Sequence, residues 1–321
     1  MPANWIFWLV FNLFVLVMLA LDLGVFHRKN HVIGFREAIA WTSLWVGLAA
    51  GFAVLIYFFG HRLVPHPTHP NSQLTLEFVT GYIIEQSLSV DNLFVFLLIF
   101  RFFSVPQEYQ RQVLSWGVVG ALIMRAIFII AGVTLLERFH WIIYIFGAIL
   151  IYSGINLMRQ HGADIHPEKN PLLRMFRKFF RVTTDYSDGS FFVTRGGLWF
   201  ATPLMLVLIV VETTDVLFAV DSIPAVLAVT REPFIVYTSN VFAILGLRSL
   251  FFALSGMLDR FHLLHYGLSV ILILIGLKML VSDYMDLPTY VALAAVAAVL
   301  GVSIVLSLMF PKKPNAANVT V

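Results

Sequence analysis

Apolar residues along the 321-residue chain come in long blocks, each about the length of a membrane span, cut by short polar stretches. A helix needs roughly 20 apolar residues to cross a hydrocarbon core of about 30 Å. Nine segments meet that requirement or come close to it: 5–25, 38–59, 74–100, 112–136, 141–158, 199–229, 234–257, 263–281 and 288–310. Proline, histidine and charge fill the breaks, as in HRLVPHPTHPNS (61–72), SVPQEYQR (104–111) and TREP (230–233). The pattern predicts an all-α polytopic membrane protein with about nine transmembrane helices in a single integral membrane domain, 1–321. The first block, within MPANWIFWLVFNLFVLVMLALDLGVF, lacks a basic leading region and an A-x-A site, so a retained helix is expected rather than a cleaved signal peptide.

Two of the blocks resemble each other. ERFHWIIYIFGAILIYSGINLM (137–158) aligns without a gap on DRFHLLHYGLSVILILIGLKML (259–280). Upstream, Arg125 corresponds to Arg248, and VDNLF (90–94) falls near TDVLF (214–218). The unit is three helices, giving a first repeat over 74–158 and a second over 199–281. An odd number of spans, with a linker (159–198) that returns to the same side, turns the second copy upside down. Inverted repeats of this kind build secondary transporters, whose sites lie near the midplane between the copies. The segments before residue 74 and the last helix, 288–310, stand outside the repeat.

Composition fits the pattern: 60% of residues are hydrophobic, 12% are charged, and mean hydropathy is +0.87. Soluble domains carry roughly 25% charged residues. A net charge of +3 is too small to point to nucleic acid, and the absence of cysteine removes disulfides, thiolate metal sites and thiol nucleophiles. The loops are more informative than the total. With the N-terminus outside, the inner loops and C-terminal tail hold 15 Lys and Arg, and the outer loops hold only Arg62, Arg138 and Arg231. That asymmetry predicts a cytoplasmic C-terminus by the positive-inside rule. Within the inner linker, PLLRMFRKFFRV (171–182) places Leu172, Leu173, Phe176, Phe179 and Phe180 on one helical face. Arg174, Arg177, Lys178 and Arg181 take the other. Such a helix suits either the inner leaflet or the cytoplasmic face of the bundle itself.

The chemistry lies in the acids. Ionisable side chains at membrane depth are costly and mark function by default. The third segment carries Glu85, Asp91 and Asn92, and the sixth carries Glu212, Asp215, Asp221 and Ser222. As the first helices of the two repeats, they are expected to face each other. Glu85, Ser89 and Asn92 share one helical face, as do Glu212, Asp215 and Ser222. Asp91 and Asp221 point elsewhere on ideal helices, so they join the site only if the helices break. Pro224 is the expected cause of a break beside Asp221. Five acids face three bases, Arg125, Arg248 and Lys278, which leaves two negative charges for a divalent cation or protons. Both arginines are expected mainly as structural counter-charge. Oxygen ligands, without cysteine or a deep histidine, favour Mg²⁺, Ca²⁺ or Mn²⁺ over zinc or copper(I). Asp22 is expected at the inner end of the first span, and His61, His66 and His69 in a solvated outer loop.

EQSLSVDNLFVF (85–96), ATPLMLVLIVVETTDVLFAVDSIPAVLAVT (201–230), SNVFAILGLRSLFF (239–252) and YGLSVILILIGLKML (266–280) resemble the TerC family of bacterial integral membrane proteins, its Alx-like branch in particular. The resemblance covers roughly 35–285 and implies inner-membrane export of Mn²⁺, with links to metal supply for exported proteins. It implies metal ligation by Glu85, Asp91 and Asn92 in the first motif and by Glu212, Asp215 and Asp221 in the second. The supporting set is Ser89, Ser222, Asn240, Arg125, Arg248 and Lys278. Thr213 and Thr214 stand where the family pattern has a Ser before the Asp. The expected partners are a divalent metal ion, the lipid bilayer, and protein-export machinery or secreted metalloproteins; no organic cofactor is expected. An exporter working by alternating access leads this reading, with protons as counter-ions because vacated carboxylates at low dielectric take them up. Two rivals stand beside it. One is a metal-loading or assembly factor for exported proteins; the other is an intramembrane Asp-dependent enzyme, although no GxGD-like motif is present.

Overall fold

A computed structural model describes residues 4–26, 34–64, 69–139, 141–159, 171–186, 189–255, 263–282, 285 and 288–310. It contains the helices α1 (Asn4–Phe26), α2 (Phe35–Leu63), α3 (Asn71–Phe102), α4 (Gln107–Arg138), α5 (Ile142–Arg159), α6 (Pro171–Phe179), α7 (Pro203–Leu227), α8 (Pro233–Leu254), α9 (Leu264–Leu280) and α10 (Thr289–Met309). A two-stranded hairpin, β1 (Phe192–Arg195) and β2 (Leu198–Ala201), precedes α7. The chain is a polytopic all-α membrane protein. Each of the nine apolar segments lies on a helix of its own, and α6 is the short amphipathic addition. By length and composition, seven of these helices can cross a membrane; the described apolar stretch of α1, Ile6–Leu21, and α9 are shorter. The helices α3 and α4, at 32 residues each, run about 48 Å at 1.5 Å per residue, so their ends project beyond the hydrocarbon.

The start of the sixth segment is corrected by the structure. Residues 198–201, expected at or just before the start of a span, form β2, and α7 begins at Pro203. Two glycines cause this. Gly196 and Gly197 have φ of +57° and +77°, the left-handed pair that a two-residue type I′ hairpin turn requires. Pro203 then starts the helix, where its missing N–H costs nothing.

Burial decides which helices are central. Nearly every side chain of α8 is enclosed, as expected of a helix apolar or small on all sides. It packs against α2, α3 and α4, while α3 and α7 meet beside it. By contrast, α1, α2 and α10 show long stripes of exposed Leu, Val, Ile and Phe, the surface that lipid covers. One apolar core joins α1 and α2 to α3 and α8, a second lies among α3, α4, α5, α7, α9 and α10, and a third fills the bundle end beneath α6.

Helices α5 and α9 pack closely through glycine, as helices do where no hydrophobic force draws them together. A Cβ built at Gly147 would lie 2.9 Å from the Gly276 carbonyl oxygen, and one at Gly276 would lie 2.7 Å from that of Gly147. One at Gly154 would lie 2.7 Å from the Ser269 carbonyl oxygen. In the gap-free alignment Gly147 corresponds to Ser269 and Gly154 to Gly276. Exchanging the copies therefore converts one contact into the other, the relation that a two-fold axis produces. The RFH motifs lie partly outside the described residues, as do the side chain of Asp22 and residue His66.

Gly154→Ala and Gly276→Ala should each lower thermal stability in detergent by a similar amount, at a cost of about 1–3 kcal/mol typical of overpacking. Unchanged melting of both variants would show that the helices are not held at this distance.

Candidate cation site

Three helices bring the buried charges together, and Arg125 on α4 is their centre. It is buried, and its Nη1 pairs with Glu85 Oε1 on α3 and donates to Asn240 Oδ1 on α8 at 3.0 Å. Asn240 is held in turn by a hydrogen bond from its Nδ2 to the Val236 carbonyl at 2.9 Å. The amide thus presents its oxygen to the guanidinium. Asp215 on α7, also buried, interacts electrostatically with Arg125, Glu85 and Glu212. The Glu212 carboxylate lies against Gly120 of α4 so closely that a Cβ there would overlap it. A side chain at position 120 would displace the carboxylate.

Three carboxylates against one guanidinium leave two negative charges when all are ionised. Around them lie oxygens with nothing to bond. Glu85 Oε2, Ser89 Oγ, Asp215 Oδ2 and Ser222 Oγ are buried and lack a hydrogen-bond partner among the described residues. The Ser222 hydroxyl approaches Glu85 without satisfying it. Buried polar groups are nearly always satisfied, so each orphan calls for an explanation such as an ion or water. These residues follow the helical spacing: Ser89 stands one turn beyond Glu85, and Ser222 two turns beyond Asp215. Asn92, buried on the Glu85 face, extends the polar strip. Among the described residues no three His, Asp or Glu side chains stand close enough to hold an ion together.

Asp91 and Asp221 stand outside this cluster. Both α3 and α7 run unbroken past them, and Pro224 sits within the last turn of α7. The expected break does not rotate either acid inward, because an uninterrupted helical ladder preserves the spacing of 100° per residue. Asp91 is half-buried. Asp221 accepts a hydrogen bond from Ser153 Oγ on α5 at 2.6 Å. The other two bases also lie apart from Arg125. Arg248 is buried and donates to Ser115 Oγ on α4 at 2.8 Å, and Lys278 Nζ donates to the Ala228 carbonyl at 3.1 Å.

One acid was missed by sequence reasoning. Glu77 stands near the start of the third segment, where a carboxylate reads as a solvated helix end, yet it is 1% exposed. Its carboxylate accepts from Thr230 Oγ1 at 2.6 Å and Gln73 Nε2 at 3.3 Å, and His69 Nδ1 lies 3.0 Å away. His69, expected in a solvated loop, therefore packs on a buried acid. This group lines a cavity of about 780 Å³ shared with Glu137, Glu232 and Lys278, where α3 begins and α4, α7 and α9 end. Glu77 precedes Glu85 by eight residues, about 12 Å along the helix.

Comparison with known proteins places the chain. The model of the "Integral membrane protein TerC family" matches residues 71–315. The chain belongs to the TerC family. An uncharacterized membrane protein of Myxococcus xanthus, STKORF319, is 49% identical over 302 residues, 94% of this chain and 92% of its own length. Proteins of Shigella flexneri and Escherichia coli (strain K12), provisionally named membrane-bound redox modulator Alx, are 45% identical over 305 residues, 94% of this chain and 93% of theirs. No solved structure matches significantly.

Removing one partner of a buried ion pair costs on the order of 3–5 kcal/mol, because the other charge is left bare. Arg125→Gln should therefore sharply lower the melting temperature in detergent, and adding Glu85→Gln should recover much of the loss. Losses that simply add in the double variant would show that the two side chains do not share their charge.

Proposed function

We propose that this TerC family protein exports a divalent metal ion across the bacterial inner membrane, with Mn²⁺ the expected cargo, by alternating access around Glu85 and Asp215. The observation that carries this reading is the set of four buried oxygens, on Glu85, Ser89, Asp215 and Ser222, that lack a partner among the described residues, where carboxylates outnumber their base. Carboxylate, hydroxyl and amide oxygens suit a hard or borderline divalent ion. An ion entering between α3 and α7 would neutralise the surplus charge and occupy the orphan oxygens at once. Ligands drawn from both helices would convert binding into movement of one three-helix unit against the other, α3–α5 against α7–α9. Because no three acids among the described residues meet in this conformation, Glu85, Glu212 and Asp215 would have to close on the ion.

Asp91, Asn92 and Asp221 take part as stations along the path rather than as ligands beside Asp215. Protons competing for the same oxygens supply the counter-ion. The lysine and arginine asymmetry supports an external N-terminus and a cytoplasmic C-terminus, which places the linker, α6 and the hairpin inside the cell and the Glu77 cavity outside. Transport rather than enzyme catalysis is the proposed activity. The relatives' provisional name invokes redox, but this chain has no cysteine, so thiol–disulfide exchange has no group to act through. An effect on redox state would come through metal supply.

Purified protein in sealed vesicles should carry Mn²⁺ down an imposed gradient, and acidifying the loading side should slow it. Asp215→Asn should lose metal binding while remaining abundant, since removing an ionised group lowers the cost of burial. Asp91→Asn and Asp221→Asn should retain binding but slow transport. Wild-type flux in a folded Asp215→Asn protein would remove the chemistry from this reading. Metal binding without any flux would favour the loading-factor alternative.

A further inference from the structure

The segment between the two three-helix units folds into a cap whose outward surface has two opposed characters. Within α6, Leu173 is buried in the core at the bundle end and Phe176 packs against it. Leu172, Met175 and Phe179, at spacings of three and four residues, form a separate stripe that is exposed, Phe179 to 74%. Arg174, Arg177, Lys178 and Arg181 occupy a third sector, also exposed. The five apolar positions that the sequence puts on one face are thus divided, some committed to protein and some left outward.

The hairpin continues the outward stripe. Phe180 stacks on Phe176 with ring centroids 4.5 Å apart and meets Phe192 of β1 at 6.3 Å. Cross-strand partners share a sheet face, and the register pairs Phe192 with Ala201 and Thr194 with Trp199. Trp199, 70% exposed, therefore lies on the Phe192 face, further towards the glycine turn. The cap is fixed to the bundle: Ala201 N–H donates to the Arg181 carbonyl, Thr183 N–H donates to the Ala201 carbonyl, and Tyr186 Oη donates to the Phe103 carbonyl just past α3. Arg195 is paired with Asp185. The four basic side chains of α6 and its end are therefore the uncompensated charge among the described residues of the cap.

We infer that α6 and the Gly-Gly hairpin form a docking surface for anionic phospholipid in the leaflet at that end of the bundle. Leu172, Met175, Phe179 and Trp199 enter the acyl boundary. Arg174, Arg177, Lys178 and Arg181 take the phosphate headgroups. Charge complementarity and continuity with the membrane-spanning helices single out this occupant: β2 leads directly into α7, so the hairpin sits where a span enters the bilayer. An amphipathic helix with a basic sector and an aromatic apolar sector binds in the interface plane, more strongly on anionic lipid.

The chain has no cysteine, so single nitroxide labels can be attached at Phe179→Cys and Trp199→Cys in the full-length protein. Accessibility to oxygen and to a water-soluble nickel chelate is then measured in nanodiscs of phosphatidylcholine alone and of phosphatidylcholine with phosphatidylglycerol. Both labels should favour oxygen in the mixed discs. They should shift towards the nickel chelate in phosphatidylcholine alone and, in the mixed discs, after the combined change Arg174→Glu, Arg177→Glu, Lys178→Glu and Arg181→Glu. Labels that are water-accessible in both lipids, or lipid-buried to the same degree whatever the lipid or charge, would overturn the inference. The lipid comparison on otherwise unchanged basic residues decides the matter if the charge-reversed protein does not fold.

Discussion

A guanidinium at the centre of a membrane bundle must be neutralised where it stands, and Arg125 meets that constraint with the Glu85 carboxylate and the Asn240 amide oxygen. Much of the interior follows from this. Glu85 fixes α3 against α4, Asn240 fixes α8 against both, and Asp215 adds α7 to the same electrostatic group. One positive charge shared among three acids is an unfinished neutralisation. That imbalance gives the cluster a use for a cation. In low dielectric such attraction is strong; Arg125 pairs with Glu85 Oε1, and Oε2 has no partner among the described residues.

The rest of the bundle separates rigid from adjustable parts. Helices α5 and α9 meet backbone to backbone at Gly147, Gly154 and Gly276, a crossing with no slack. The acids sit on α3 and α7, the first helices of the α3–α5 and α7–α9 units, which pack against each other. In the proposed transport cycle one unit moves against the other, and the tight α5–α9 crossing would serve as its pivot. Gly120 contributes from α4 by leaving room for the Glu212 carboxylate.

The helices and the cluster's position were readable in the sequence because lipid imposes simple rules. Apolar length marks a span, and an acid within one must serve a purpose, so Glu85, Glu212 and Asp215 emerged from pattern alone. Spacing of 100° also groups Ser89 with Glu85 and Ser222 with Asp215, and both serines are buried. The misreadings came from tertiary geometry that one-dimensional pattern lacks. Pro224 fell in the last turn of α7, too late to redirect Asp221, which found Ser153 instead. Arg125 and Arg248 look equivalent in the alignment, yet they serve different places: Arg125 meets Glu85 and Asn240, and Arg248 donates to Ser115. Glu77 looked like a helix end because its partners Thr230 and His69 are distant or loop residues. The hairpin signal, two glycines between alternating residues, was present at 196–197 but was obscured by the apolar run that follows.

The central claim is that a divalent ion binds between α3 and α7, at Glu85 and Asp215. The most direct measurement is the location of Mn²⁺ by anomalous scattering in crystals of the full-length protein soaked with the ion. The account expects a peak within coordination distance of Glu85 Oε2 and Asp215 Oδ2, with Ser89 or Ser222 completing the shell, and expects it to vanish in Asp215→Asn. A fully occupied peak at the Glu77 cavity with none between α3 and α7 would contradict it.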